Sequence, residues 1–119
     1  MAKKGVSGSF SKQTTITSVK FGSQCCFVGE HAFKECTSLS EINDDNVLEY
    51  IGSNAFAQTN LKSAKFSNLS ILYTGAFHSC SYLSYIDIPK CVSISDGAFA
   101  NCVSLKDNDI FVFSIISVT

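Results

Sequence analysis

The amino-acid sequence predicts a repeat solenoid of about five coils, with a parallel β-sheet of short strands joined by turns or short helical segments. Ala-Phe occurs four times, beginning at Ala32, Ala55, Ala76 and Ala98, with intervals of 23, 21 and 22 residues. A period of this size is typical of coils that bury their apolar faces only against one another. A cysteine column and a leucine column repeat in the same register.

Each unit continues beyond Ala-Phe in a shared pattern. Three units carry cysteine and then leucine at fixed offsets, at Cys36 and Leu39, Cys80 and Leu83, and Cys102 and Leu105. In the second unit, Thr59 takes the cysteine place and Leu61 arrives one residue early. An alternating apolar stretch follows each leucine, which predicts a strand with one buried face.

The coils extend to both sides of the four Ala-Phe pairs. Before the first pair, apolar residues stand at the same offsets, at Ile16, Val19, Phe21, Cys25 and Val28. We therefore assign residues 16–110 to the solenoid, residues 1–15 to an amino-terminal extension or cap, and residues 111–119 to a carboxyl-terminal strand or truncated end.

The complete unit reads Leu-x-x-Ile-x-Ile-Pro-x-x-Val-x-x-Ile-Gly-x-x-Ala-Phe-x-x-Cys-x-x-Leu, and in this form it resembles the BspA-type leucine-rich repeats. Only Pro89 keeps the proline, and glycine follows the isoleucine column only at Gly29 and Gly52. The resemblance implies a leucine-rich-repeat-like solenoid that binds other molecules at the cell surface or outside the cell. Periodicity by itself implies only the solenoid.

Composition argues against several partners. The net charge is −1 and all nine basic residues are lysine, whereas nucleic-acid grooves favour a basic stripe and arginine forks. No signal peptide is predicted, because Lys3 and Lys4 precede no apolar stretch, and no run is long enough to span a membrane. The apolar end from Ile110 to Val118 predicts an edge that could stack end to end on a second copy.

The polar and sulfur side chains form no catalytic or metal-binding motif. Cys36, Cys80 and Cys102 are predicted to be buried free thiols, because Thr59 replaces the cysteine in an equivalent position. We expect His31 and His78 to be solvated, with a Cys25–His31 nucleophile pair as the weaker alternative. Asp44-Asp45 and Asp107…Asp109 reproduce no calcium loop. The sequence therefore predicts no enzyme activity, no metal site and no cofactor.

The ring of each Ala-Phe pair is predicted to stack in the core, and the binding surface to lie on the strands. Outward residues of the strands are expected at Ser18 and Lys20, Glu41 and Asn43, Ser63 and Lys65, Tyr85 and Asp87, and Asp107 and Asp109. From these we select Lys65, Tyr85, Asp87, Glu41 and Asn43 as the candidate site, with Tyr85 as the aromatic anchor.

Two functions remain open at this point. The first is a non-enzymatic binding module for adhesion, with a protein or glycan ligand and host extracellular proteins as candidates. The second is a structural spacer, or a fragment of a longer repeat array, with no ligand of its own.

Overall fold

The computed structural model describes residues 4–6, 10–106 and 110–111, and these residues form ten short parallel strands joined by turns, with no helix among them. The strands are β1 (Lys4–Val6), β2 (Ser18–Lys20), β3 (Cys25–Val28), β4 (Glu41–Asn43), β5 (Tyr50–Ile51), β6 (Ser63–Lys65), β7 (Ile71–Leu72), β8 (Tyr85–Asp87), β9 (Ser93–Ile94) and β10 (Ile110–Phe111).

The strands alternate between two series, as expected when every coil of a solenoid contributes one strand to each side. The odd-numbered strands form one five-stranded sheet in the order β1-β3-β5-β7-β9. The even-numbered strands form a two-stranded sheet, β2-β4, and a three-stranded sheet, β10-β8-β6. All pairs are parallel, for example Phe27 with Tyr50 and Tyr50 with Ile71. The β1–β3 pair contains one shift of register, between Lys4 and Gly5. The predicted parallel solenoid is confirmed, with about four turns where about five coils were expected.

Sharp turns, rather than helical segments, carry the third side of each coil. In each unit, two residues have left-handed backbone angles. The first comes directly before the Ala-Phe pair, at His31, Asn54, Gly75 and Gly97. The second is the third residue after the alanine, at Glu35, Gln58, Ser79 and Asn101. A helix cannot continue through residues in this conformation. The turns bond to one another across coils, as in Phe33 N–H to Ala55 O at 2.8 Å and Phe77 N–H to Ala98 O at 2.8 Å.

The phenylalanine rings form the predicted ladder inside the turns. Neighbouring rings stack with centroids 5.4 Å apart for Phe33 and Phe56, 5.5 Å for Phe56 and Phe77, and 5.8 Å for Phe77 and Phe99. The first three of these four rings are buried, and Phe99 is partly buried. Phe10 adds a fifth ring, stacked 5.3 Å from Phe33.

The cysteine column has a structural explanation in the hydrogen bonds between coils. Cys36, Cys80 and Cys102 are buried free thiols. Each thiol donates to the carbonyl oxygen of the ladder phenylalanine one coil earlier, over a distance of 3.0 Å in all three cases. The predicted burial is confirmed. The thiols also satisfy buried carbonyl groups, which would otherwise be costly.

The amino-terminal segment takes part in this architecture. β1 and Phe10 lie within residues 1–15, the segment expected to be an extension or cap, and both contact the next coil. At the other end β10 pairs with β8. The rest of the expected carboxyl-terminal strand, residues 112–119, lies outside the described residues.

Candidate functional site

The candidate site lies on the even-numbered strands, whose outward side chains we call the strand face (Ser18, Lys20, Glu41, Asn43, Ser63, Lys65, Tyr85 and Asp87). The middle residue of each strand points inward: Ala64 and Ile86 are buried, and Val19 and Ile42 are partly buried. Their neighbours along the strands are exposed or half-exposed. Asp107 and Asp109, the expected outward residues of the last strand, lie outside the described residues.

Three of the five candidate residues lie together. In the β6–β8 pair, Lys65 is directly opposite Asp87, and Ser63 is opposite Tyr85. The Tyr85 side chain is 40% exposed. This arrangement places an ammonium, a carboxylate and a partly open phenol ring on two adjacent strands, at the inter-strand spacing of about 4.8 Å.

The other two candidate residues, Glu41 and Asn43, lie on a separate sheet. β4 pairs with β2, so that Glu41 is opposite Ser18 and Asn43 is opposite Lys20. β4 and β6 are not paired. The expectation of one unbroken sheet across this face therefore does not hold between these two strands.

The shortened second unit explains why β4 and β6 are not paired; we call this gap in the strand face the break. Elsewhere the residue after the leucine column donates to its counterpart one coil earlier, as Ser40 N–H does to Thr17 O at 3.0 Å and Ser84 N–H to Lys62 O at 2.9 Å. At the break the bond runs instead from Asn60 N–H to Leu39 O, at 2.9 Å. The missing residue before Leu61 shifts the register there, and β6 cannot align with β4.

The thiol bond between coils is also lost at this boundary. Thr59, in the cysteine place, donates its hydroxyl at 3.0 Å to Phe56 O in its own coil, rather than to Phe33 one coil earlier. Its Oγ1 lies 3.3 Å from the Cys80 sulfur. Two features of the sequence therefore mark the break: Thr59 replaces the cysteine, and Leu61 arrives one residue early. Both lie in the same short segment.

A polar cavity of about 330 Å³ opens beside the break. It is lined by Ile42, Asn43, Asp44, Asp45, Asn46, Lys65 and Ser67. The turn after β4 forms one wall: Asn43 Oδ1 accepts the Asp45 N–H at 2.9 Å, and Asp44 Oδ1 accepts the Asn46 N–H at 3.0 Å. The opposite wall is the end of β6.

Asp44, which the sequence analysis considered only as half of the Asp44-Asp45 pair, is a buried carboxylate on this wall. Only 6% of it is exposed, and its Oδ2 has no hydrogen-bond partner within the described residues. Burial raises the pKa of this carboxyl, and the backbone N–H groups of Asn46 and Leu48 oppose that rise. The repeat contained the signal: Asp44 stands two residues after Ile42, where other coils place Phe21, Phe66 and Ile88 in the core.

The histidines and cysteines make local contacts. His31 Nε2 lies 3.7 Å from a Glu30 oxygen and 3.4 Å from Asn54 Nδ2, and His78 Nδ1 lies 2.9 Å from the Ser79 hydroxyl. The neighbouring Cys102 side chain lowers the pKa of Cys80, against the effect of burial. Within residues 10–106, no group of three or more His, Cys, Asp or Glu side chains is placed to hold a metal.

These features define a parallel solenoid built from one repeated unit, with exposed polar columns over an apolar core. The chain belongs to the BspA-type leucine-rich repeat family, whose model matches residues 6–117 in six copies. No curated protein sequence matches the chain. The resemblance inferred from the repeat is confirmed.

Solved structures with a similar fold are also leucine-rich repeat proteins. A leucine-rich repeat protein from Bacteroides ovatus ATCC 8483 is 19% identical, with a TM-score of 0.52 over 86% of this chain and 39% of that one. A T. pallidum leucine-rich repeat protein is 19% identical, with a TM-score of 0.46 over 89% of this chain and 72% of that one. A leucine-rich cell surface protein from Faecalibacterium prausnitzii A2-165 is 17% identical, with a TM-score of 0.48 over 96% and 47%.

The similarity to the Bacteroides ovatus protein, at 19% identity, supports the fold alone. The chain spans well under half the length of the Bacteroides protein. Among the described residues, no helix is long and apolar enough to cross a membrane.

Proposed function

We propose that this protein is a non-enzymatic binding module, which contacts a protein or glycan ligand through the strand face and serves adhesion at the cell surface or outside the cell. The observation that carries the proposal is the β6–β8 patch, where Lys65, Tyr85 and Asp87 project from two paired strands whose inward residues are buried. The core columns repeat from coil to coil, whereas these outward positions differ, so they are free to specify contacts.

The side chains of the patch suit distinct roles in recognition. The Tyr85 ring offers rigid apolar area with a polar tip, which is the property that makes tyrosine common among residues that dominate binding energy. Lys65 and Asp87 carry opposite charges on opposing strands, and such charges orient a partner more than they add affinity. Glu41 and Asn43 extend the surface across the break.

The test starts by screening host extracellular proteins and glycans for a binder. With a binder in hand, Tyr85→Ala and Asp87→Lys should each weaken binding at least several-fold, roughly 1 kcal/mol or more, without changing the melting temperature. His31 and His78, on the turn side, provide matched control positions. If substitutions there abolish binding while both patch variants bind normally, the site lies on another side of the solenoid.

The alternative function is a structural spacer with no ligand of its own, including one that stacks end to end on a second copy. The open groove of about 400 Å³ at the amino-terminal end favours this reading, since apolar residues such as Ile16, Phe21 and Phe33 line it. Sedimentation at increasing protein concentration distinguishes the two. A spacer that stacks would form concentration-dependent oligomers, whereas the proposed binding module stays monomeric without its ligand.

A further inference from the structure

We infer that the short link of the second unit forms a binding site for an uncharged sugar, with the Tyr82 ring as its platform. Here a link is the segment that runs from the cysteine column to the leucine column of a unit. A groove of about 310 Å³ opens at the short link, and we call it the notch. Its lining consists of Thr37, Gln58, Thr59, Asn60, Ser79, Ser81 and Tyr82. None of these residues belongs to the strand face, so the inference goes beyond the proposed function and is independent of it.

The notch has a cause in the length of the links. In a regular link, two residues separate the cysteine from the leucine, and the leucine N–H donates back to the cysteine carbonyl, as from Leu83 to Cys80 O at 3.1 Å. The short link has only one residue there, Asn60, which donates its N–H to Leu39 O at 2.9 Å. Because it lacks a residue, the short link cannot form the same turn, and it leaves a gap between the turns of its two neighbours.

The two neighbouring links stand on either side of this gap. Thr37 belongs to the link of the first unit, and Ser81 and Tyr82 belong to the link of the third. These two links are two coils apart, which corresponds to roughly 10 Å at the inter-strand spacing. Once the atoms of both walls are counted, this gap is too narrow for an α-helix, whose diameter with side chains is about 10–12 Å. It has the scale of a sugar ring.

The lining offers hydrogen bonds without charge. Every one of its seven side chains carries a hydroxyl or a carboxamide, and no charged side chain of the described residues lines the notch. Five of the seven make no side-chain hydrogen bond within the described residues: Thr37, Gln58, Asn60, Ser81 and Tyr82. Hydroxyl and carboxamide groups both donate and accept hydrogen bonds, as sugar hydroxyls do. An anion would find no ammonium or guanidinium here and a cation no carboxylate, so the ligand that fits is uncharged.

The Tyr82 ring adds the apolar surface that a sugar requires. This residue is 62% exposed, more than any other aromatic residue in the described part of the chain. A tyrosine ring offers a flat apolar face beside a polar tip. A pyranose has a face of C–H groups and a rim of hydroxyls, so it packs on the ring while its hydroxyls reach the side chains of the notch. A purely apolar ligand would leave those polar groups without partners, which is costly.

The experiment titrates the isotope-labelled full chain with neutral sugars and follows the backbone amides by NMR. The probes are glucose, galactose, mannose, N-acetylglucosamine, lactose and maltose. One ring held in an open groove supports a dissociation constant of about 1–10 mM, so each probe is used up to about 50 mM. At least one of them should shift the amides of Asn60, Ser81 and Tyr82, while those of the odd-numbered sheet stay in place. Glucuronate, the anionic counterpart of glucose, should bind more weakly than the best neutral sugar.

Two tyrosine variants locate the site. Tyr82→Ala should weaken the binding of the sugar by about ten-fold or more, because it removes the platform. Tyr73→Ala is the matched control. It also removes an exposed tyrosine, 42% exposed, but one that directly follows β7 on another side of the solenoid. This variant should bind the sugar as the parent does.

A third variant separates loss of the site from loss of the fold. A serine inserted between Thr59 and Asn60 gives the short link its missing residue and so fills the notch. This variant should no longer bind the sugar, while its melting temperature stays at or above that of the parent.

The inference is wrong if no neutral sugar shifts the amides of the notch, or if the insertion variant binds as the parent does. It is also wrong if glucuronate binds most tightly, or if the Tyr73 and Tyr82 variants lose binding equally. Shifts confined to β6 and β8 would overturn it as well, and would support the strand face as the sugar site instead.

Discussion

The two halves of the strand face, β2–β4 and β6–β8, are built from the same repeated unit but differ in regularity. From β6 to β8 the paired core residues Ala64 and Ile86 keep the 22-residue period, and β8 pairs in turn with β10. Between β4 and β6, the coil before the break is one residue longer than the 22-residue period and the next is one residue shorter. A change of one residue in coil length can therefore remove strand pairing on one side of a solenoid while the coils stay stacked on the other sides.

The other two sides show why the break stays local. The odd-numbered sheet passes the same boundary intact, with Phe27 paired to Tyr50 and Tyr50 to Ile71. The Ala-Phe turns also remain bonded there, through Glu35 N–H to Ala57 O at 2.8 Å. Each coil is therefore held by two continuous ladders, and the third can vary.

The largest expected loss of stability comes from a substitution in the ladder of stacked phenylalanine rings. Phe77 is fully buried and stacks on both Phe56 and Phe99. Phe77→Ala should lower the free energy of unfolding by about 3–5 kcal/mol, because it leaves a large cavity in the middle of the array. Urea denaturation followed by far-UV circular dichroism measures the change.

Phe10 is the matched control, since this ring is 41% exposed and its described stacking contact is on one face only, with Phe33. Phe10→Ala should cost less than half as much. Equal losses at the two positions would contradict the view that stacking between coils, rather than the ring itself, supplies the stability.

A smaller effect of opposite sign is expected from repairing the break. Inserting one serine between Thr59 and Asn60 restores the three-residue step to Leu61, which should let β6 pair with β4. We expect a gain of about 1–2 kcal/mol from the added backbone hydrogen bonds. The control insertion, between Ser81 and Tyr82, lengthens a regular link and should destabilise. If both insertions destabilise equally, the short second unit is not the cause of the break.

The smallest effect on stability comes from the cysteine column. Thr59→Cys replaces a hydroxyl that bonds within its own coil by a thiol of similar size, so the free energy of unfolding should change by less than about 1 kcal/mol. The same column predicts slow chemistry at Cys36, Cys80 and Cys102 in the native state, because all three are buried.

Labelling with a thiol reagent, followed by peptide mapping, measures this protection. Cys25 is the internal control, since it is only half-buried and should be labelled first, although burial raises its pKa as well. Rapid labelling of Cys80 in the folded protein would show that the ladder opens readily.

Much of this architecture could be predicted from the sequence, because a solenoid repeats its core positions in every coil. The Phe33–Phe56–Phe77–Phe99 ladder and the buried thiols both follow from columns in register. The early arrival of Leu61 was visible too, but its effect on strand pairing depends on the bond from Asn60 to Leu39, which no periodicity reveals.

The cavity was harder to foresee. The sequence analysis considered Asp44 only as one of a pair of carboxylates that reproduce no calcium loop, whereas in the structure it is buried at a core position. Likewise, the Phe10 ring stands outside any Ala-Phe pair, so its place in the ladder could be read only from the structure.

The central claim is that the strand face is continuous from β6 to β10 and interrupted between β4 and β6. Hydrogen exchange of the backbone amides, followed by NMR, tests it most directly. The β8 amides lie between two paired strands and should be protected throughout, whereas those β6 amides that face β4 should exchange roughly ten-fold faster or more. Equal protection of all amides in Ser63–Lys65 and Tyr85–Asp87 would mean that β4 and β6 are paired in solution, and would contradict the account.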